Sequence, residues 1–123
     1  MAVSRRSIRV LIVEDEPATA LLLESMLEEL GFEDVHIAYD AGAARDVMGE
    51  ISPNLAILDM NMGQDTILRL AERLRARNVP VCFSSCQPAN ETLPGWPDRP
   101  LVPKPLDKRM LDAALRNLGF EAN

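Results

Sequence analysis

The sequence is poor in cysteine, in histidine and in positive charge, and each shortage closes off a class of protein. Two cysteines, Cys82 and Cys86, stand among 123 residues and make no disulfide framework. In an extended segment their separation is roughly 13 Å, beyond disulfide reach, so two free thiols in a reducing cytoplasm are expected. The one histidine, His36, is expected to be structural. Lysine plus arginine number 13 against 19 aspartate plus glutamate, a net charge of −6. Nucleic acid and anionic membranes are therefore not expected as main partners, because both need basic patches. No apolar run approaches the roughly 20 residues of a membrane span. Ser4-Arg5-Arg6 opens like a twin-arginine export signal, but the apolar run behind it, Val10 to Val13, ends at Glu14-Asp15-Glu16, too short for a signal core. A cytoplasmic location follows. The length suits a single domain over 1–123, with its core over about 7–120, and leaves no room for a second one.

What the sequence does contain is an alternation of short apolar runs with helical stripes. Ile8 to Val13 is a β-branched run that ends abruptly in acids, as a buried strand does at a solvated edge. Pro17 suits the first turn of a helix that carries Leu22, Leu23, Met26, Leu27 and Leu30 and stops at Gly31. Val35 to Tyr39 reads as a second strand, with Asp40 as the N-cap of a helix through Ala44, Val47 and Met48. Leu55 to Leu58 is a third strand that delivers Asp59. Ile67, Leu70, Ala71 and Leu74 form a stripe closed by Asn78, with Arg73, Arg75 and Arg77 as a solvated face. Pro80 to Ser84 is a fourth strand and Leu101-Val102 a brief fifth. Leu111, Ala114, Leu115 and Leu118 mark the closing helix. Between them, the prolines of 87–100 permit at most a weak or short fourth helix. Strands alternating with helices imply an α/β, doubly wound, five-stranded parallel sheet with helices on both faces.

Ligands of such sheets bind beyond the carboxyl ends of the strands, so the residues there are the informative ones. They are Glu14-Asp15-Glu16, Asp59 and Asn61, Ser85 and Lys104. Carboxylates converging at one edge repel each other and need a cation or a shared proton. Hard oxygen ligands with no neighbouring histidine or cysteine suit Mg²⁺ and not zinc. A lysine at that edge offsets negative charge and could hold a transferred phosphoryl group.

Four stretches in this order carry a resemblance: Leu11-Ile12-Val13-Glu14-Asp15-Glu16-Pro17, Leu58-Asp59-Met60-Asn61-Met62, Ser85, and Lys104-Pro105. Over essentially its whole length the chain resembles a receiver domain of a bacterial two-component response regulator. The resemblance implies the flavodoxin-like strand order 2-1-3-4-5. It implies that Asp59 is the phosphoacceptor, taking a phosphoryl group from a kinase phosphohistidine, with Ser85 and Lys104 on the phosphoryl oxygens. It implies Mg²⁺ held by Asp15, Asp59 and the Asn61 backbone carbonyl, with Glu14 acting through water. It implies that Met60 and Gln87 stand at positions that modulate phosphoryl chemistry. The implied partners are a sensor histidine kinase or histidine phosphotransfer protein and a downstream protein target. From the length, no output domain is expected, and a monomer is favoured. Pro80 to Gln87, Asp98-Arg99-Pro100 and Lys104-Pro105 are also similar to segments of stand-alone alphaproteobacterial receivers with a Phe-Ala-Thr-Gly-Tyr motif, although Ser84, Ser85, Cys86 and Gln87 replace its last four residues.

The chain departs from the family elsewhere. Gly63 and Ile67 stand where many receivers have proline and glycine, and Leu101 stands where the usual switch aromatic would be. Those departures motivate a second reading, a receiver-fold interaction module that works without phosphorylation. An enzyme is not expected. Haloacid-dehalogenase-like phosphatases need a second acid where Asn61 stands, and a flavin phosphate would be repelled by Glu14-Asp15-Glu16.

Overall fold

A computed structural model describes residues 4–86, 93, 95–96 and 100–121. Among these, five strands, β1 (Arg9–Val13), β2 (Asp34–Ala38), β3 (Leu55–Asp59), β4 (Val81–Ser85) and β5 (Leu101–Pro103), alternate with four helices, α1 (Pro17–Glu29), α2 (Ala41–Ile51), α3 (Gln64–Ala76) and α4 (Lys108–Asn117). All pairings are parallel, in the order β2-β1-β3-β4-β5. The short fourth helix expected over 87–100 lies outside the described residues, except for Leu93, Gly95, Trp96 and Pro100.

The layers follow from the two-residue alternation of side chains along each strand. Leu11, Val13, Ala56, Leu58, Val81 and Phe83 project to one face and pack under Ala44 and Met48 of α2 and Ile67, Leu70, Ala71 and Leu74 of α3. Val10, Ile12, Leu55, Ile57, Cys82 and Val102 project to the other, under Leu23 and Leu27 of α1 and Leu111, Ala114 and Leu115 of α4. Because both faces are covered, β3 and β4 are buried along their whole lengths, and they read as apolar runs up to Leu58 and Phe83, with Asp59 and Ser84-Ser85 at their carboxyl ends.

Local signals set the helix ends. Pro17 opens α1 while the Glu16 carboxylate accepts from the Ala18 amide, and Asp40 caps α2 by accepting from the Ala43 amide at 2.7 Å. Gly31 takes up a φ of 102° just beyond α1, and Asn78 one of 61° beyond α3, the left-handed conformation that ends helices. The second strand begins one residue earlier than its apolar pattern suggests, since β2 lies at the sheet edge and is only half-buried except at Ala38.

The first turn of the chain was not legible as structure. Arg5 is 1% exposed, and its guanidinium donates to the Leu30 carbonyl (2.8 Å), the Phe120 carbonyl (2.7 Å) and Asp112 Oδ1 (2.8 Å) while lying 5.0 Å from the Phe32 ring centroid. It ties the amino-terminal turn to the ends of α1 and α4. The arginines at the end of α3 are exposed, as expected of a solvated face, but two of them also make contacts the sequence did not signal. Arg75 stacks on Trp96 at 3.5 Å, Arg77 donates to the Met48 carbonyl at 3.3 Å, and Arg73 lines a cleft against α2.

Candidate functional site

The first and third strands lie side by side, with Val13 registered on Leu58, so the residues that follow them emerge together. Glu14 comes directly after β1, its amide donating to the Ala38 carbonyl, and Asp59 ends β3. Both are buried; Asp15 is exposed. The carboxylate oxygens of Glu14, Asp15 and Asp59 lie within 4.8 Å of one another. Three acids so close constitute a strong repulsion that only a cation or a proton relieves.

One cation reaches them from the far side of the sheet. Lys104 follows β5, and its amide donates to the Ser85 carbonyl at 2.8 Å, which fixes the departure of the chain from the sheet. The Lys104–Pro105 peptide is cis. The Lys104 ammonium lies 2.9 Å from Glu14 Oε1 and 3.0 Å from Asp59 Oδ1. Burial by itself would lower this ammonium, but the two carboxylates outweigh it and hold Lys104 above its usual value. Burial, and then the adjacent Asp59 carboxyl, push Glu14 up to about 7 against the pull of Lys104.

The loop after Asp59 is shaped by the same carboxylate. Asp59 Oδ1 accepts from the Asn61 amide at 2.9 Å and starts the 3-10 turn Met60–Met62, which leads through Gly63 at a φ of 109° into α3. Asn61 Oδ1 in turn accepts from the Cys86 amide at 3.3 Å, joining the exits of β3 and β4. Ser85, expected just past the fourth strand, is instead its buried last residue, one register position beyond the Asp59–Ser84 pair. The structure thus brings Glu14, Asp15, Asp59, Asn61, Ser85 and Lys104 to the carboxyl edges of β1, β3, β4 and β5. Met60 is not among them: it is 4% exposed and packs in the core beside α2 and α3. Gln87 lies outside the described residues.

The donor set is a test of its own. Three carboxylates supply hard oxygens and no soft ligand, which fits a Mg²⁺-like ion and not zinc. Comparison with known proteins decides the family: residues 10–96 match the response regulator receiver domain. The chain belongs to that family. Receiver domains are the phosphoacceptor modules of two-component signalling, signalling proteins and not classical enzymes. The chain is 30% identical over 118 residues to response regulator Rre1 of Synechocystis sp., covering 90% of this chain and 51% of that protein. It therefore spans about half the length of that curated relative. Among solved structures it is similar to the PhyR response regulator receiver domain of Erythrobacter litoralis (TM-score 0.77, 26% identity, 95% of this chain and 93% of that one). It is also similar to SdrG of Pseudomonas melonis Fr1 in its BeF3-activated conformation (TM-score 0.78, 31% identity, 96% and 98%). The receiver fold and strand order read from the sequence agree with these likenesses. Among the described residues no helix is long and apolar enough to cross a membrane.

Proposed function

We propose that this receiver accepts a phosphoryl group on Asp59 from the phosphohistidine of a sensor histidine kinase or histidine phosphotransfer protein, and passes the signal on by protein–protein contact as a shuttle, adaptor or phosphate sink in the cytoplasm. The observation that carries this reading is the buried Asp59 carboxylate beside both Glu14 and Asp15, with the Lys104 ammonium 3.0 Å from its Oδ1. In the transfer, an Asp59 carboxylate oxygen attacks phosphorus in line. The new O–P bond forms as the P–N bond breaks, and the imidazole nitrogen leaves with the electron pair. Such transfers depend on positioning and charge stabilisation, with little covalent work for the protein. Lys104 would move from the paired carboxylates to the phosphoryl oxygens, joined by the Ser85 hydroxyl. Asp15, Asp59 and Asn61, with Glu14 behind them, would hold Mg²⁺, which when bound supplies charge neutralisation. Met60, held in the core beside α2 and α3, would position the loop, and Gln87 and Asn61 would modulate hydrolysis.

The deciding experiment is intact mass after incubation with a small acyl phosphate, with and without Mg²⁺, on wild type and Asp59→Asn. One Mg²⁺-dependent, acyl-labile adduct that vanishes in the variant is expected. A second reading, an interaction module that works without phosphate, draws on Leu101, half-buried on β5 where an aromatic switch would stand. Under that reading Asp59→Asn leaves signalling intact and wild type gains no adduct.

A further inference from the structure

The cations of this acidic chain are unevenly matched. Among the described residues, Arg5, Arg6, Lys104, Lys108 and Arg116 pair with carboxylates, and Arg9, Arg75 and Arg77 donate to backbone carbonyls. Arg45, Arg69, Arg73 and Arg109 have neither kind of partner. Three of these four line one cleft of about 380 Å³ between α2 and α3, together with Ala41, Thr66 and Leu70. Arg69 and Arg73 stand one turn apart on α3, a spacing at which like charges repel. Arg45 faces the same cleft from α2, and all three are exposed. A chain with a net charge of −6 has abundant acids to place against them, yet among the described residues none lies within ion-pair distance of these arginines.

We propose that this cleft docks an acidic segment of a partner protein, one that presents carboxylates a helical turn apart. A guanidinium is a planar fork of donors that matches a carboxylate bidentately. The Arg69–Arg73 spacing, roughly 6 Å along the helix, is that of glutamates four residues apart on a facing helix. Half-buried Ala41 and exposed Thr66 give the apolar stems of such side chains a small surface to lie on. The sequence neighbours of the arginines select against a continuous polyanion. Asp46, Asp65 and Glu72 are all exposed. A nucleic acid or anionic bilayer would bring charge against them as well, whereas a peptide can place neutral residues there. The cleft begins at the amino-terminal turns of α2 and α3, the end of the sheet where Asp59 emerges, and runs along α3 as far as Arg73, but docking does not depend on Asp59 being a phosphoacceptor.

Fluorescence anisotropy of the full chain with a labelled alanine-based peptide carrying glutamates at four-residue spacing tests the proposal. Saturable binding that weakens with salt is expected, with about a tenfold or greater loss in R69E/R73E, as for central interface residues. A loss is also expected in R45E, and none in R109E, which changes an unmatched arginine outside the cleft. Far-UV circular dichroism checks the fold, and R69Q/R73Q gives the same reading if the reversed charges unfold the chain. Absence of binding by wild type, or equal losses in R109E and R69E/R73E, overturns the site. Tighter binding of a labelled oligothymidylate than of the peptide overturns the partner class. Self-association that R69E/R73E abolishes assigns the cleft to a second copy of the chain and overturns it too.

Discussion

The Lys104 ammonium lies 3.0 Å from Asp59 Oδ1 while sharing itself, at 2.9 Å, with Glu14. One cation thus offsets two buried carboxylates that would otherwise repel each other. Removing Lys104 and removing Asp59 should then shift stability in opposite directions. Lys104→Met leaves two adjacent buried acids without their cation and is expected to destabilise by about 3 kcal/mol. Asp59→Asn removes the repulsion and is expected to raise the melting temperature of the metal-free protein. Thermal melts of both variants check the pair of signs.

Divalent metal should act on the same repulsion. At a hundredfold excess over its dissociation constant, Mg²⁺ is expected to stabilise wild type by about 2.7 kcal/mol through mass action. Asp59→Asn should respond far less. Differential scanning calorimetry across a Mg²⁺ series measures both, and equal shifts in the two proteins would place the ion elsewhere.

The Arg5 tether predicts a large effect far from the pocket. Arg5→Ala strands Asp112 and two carbonyls, and about 3–4 kcal/mol of stability should be lost in chemical denaturation. A pH signature accompanies it. Burial would raise the Asp112 carboxyl, but the hydrogen bonds from Arg5 and Arg116 outweigh that and hold it below its ordinary range. A depressed carboxyl stabilises the fold above the unfolded-state value of roughly 3.9, and that contribution is lost as pH falls through the lower folded value. Acid denaturation of Arg5→Ala should show a weaker pH dependence over that acidic window than wild type.

Trp96 is placed to report on the strand end beside the pocket. Its ring packs edge-on to Phe83 with centroids 5.2 Å apart, under the Arg75 guanidinium, which also donates to the Gly95 carbonyl at 3.0 Å. Arg75→Ala is expected to red-shift Trp96 emission and cost about 1 kcal/mol. Phosphorylation, by repositioning groups at the end of β4, is expected to change that emission in wild type. Identical spectra before and after an adduct forms would show that the β4 exit and Trp96 are uncoupled.

Most of this fold was legible because β1, β3 and β4 are covered on both sides and so are apolar over most of their lengths, and because the caps at Pro17, Gly31, Asp40 and Asn78 carry their own conformational reasons. The edge strand β2 slipped by a residue, since half-burial blurs its pattern. The placing of Glu14, Asp15, Asp59, Asn61, Ser85 and Lys104 at one edge followed from reading a parallel sheet, with the strand order that the resemblance implies. Arg5 gave no signal, because its partners are 25, 107 and 115 residues away. Arg73, Arg75 and Arg77 looked alike in sequence and separated only once α2 and Trp96 were beside them. Met60 and Asn61 are neighbours in the motif, yet one turns into the core and the other bridges two loops.

The two borders of the sheet have a consequence for how the protein behaves in a crowded solution. A bare strand at a sheet border is a template on which another chain can add its own backbone. β2 meets that hazard with Asp34 and His36, paired at 2.6 Å on a half-exposed strand. β5 meets it by brevity, three residues ending in Pro103, which has no amide hydrogen to offer. Neither border invites strand addition, so contacts between this chain and others fall to its helices and loops, and the backbone of its sheet stays out of aggregation.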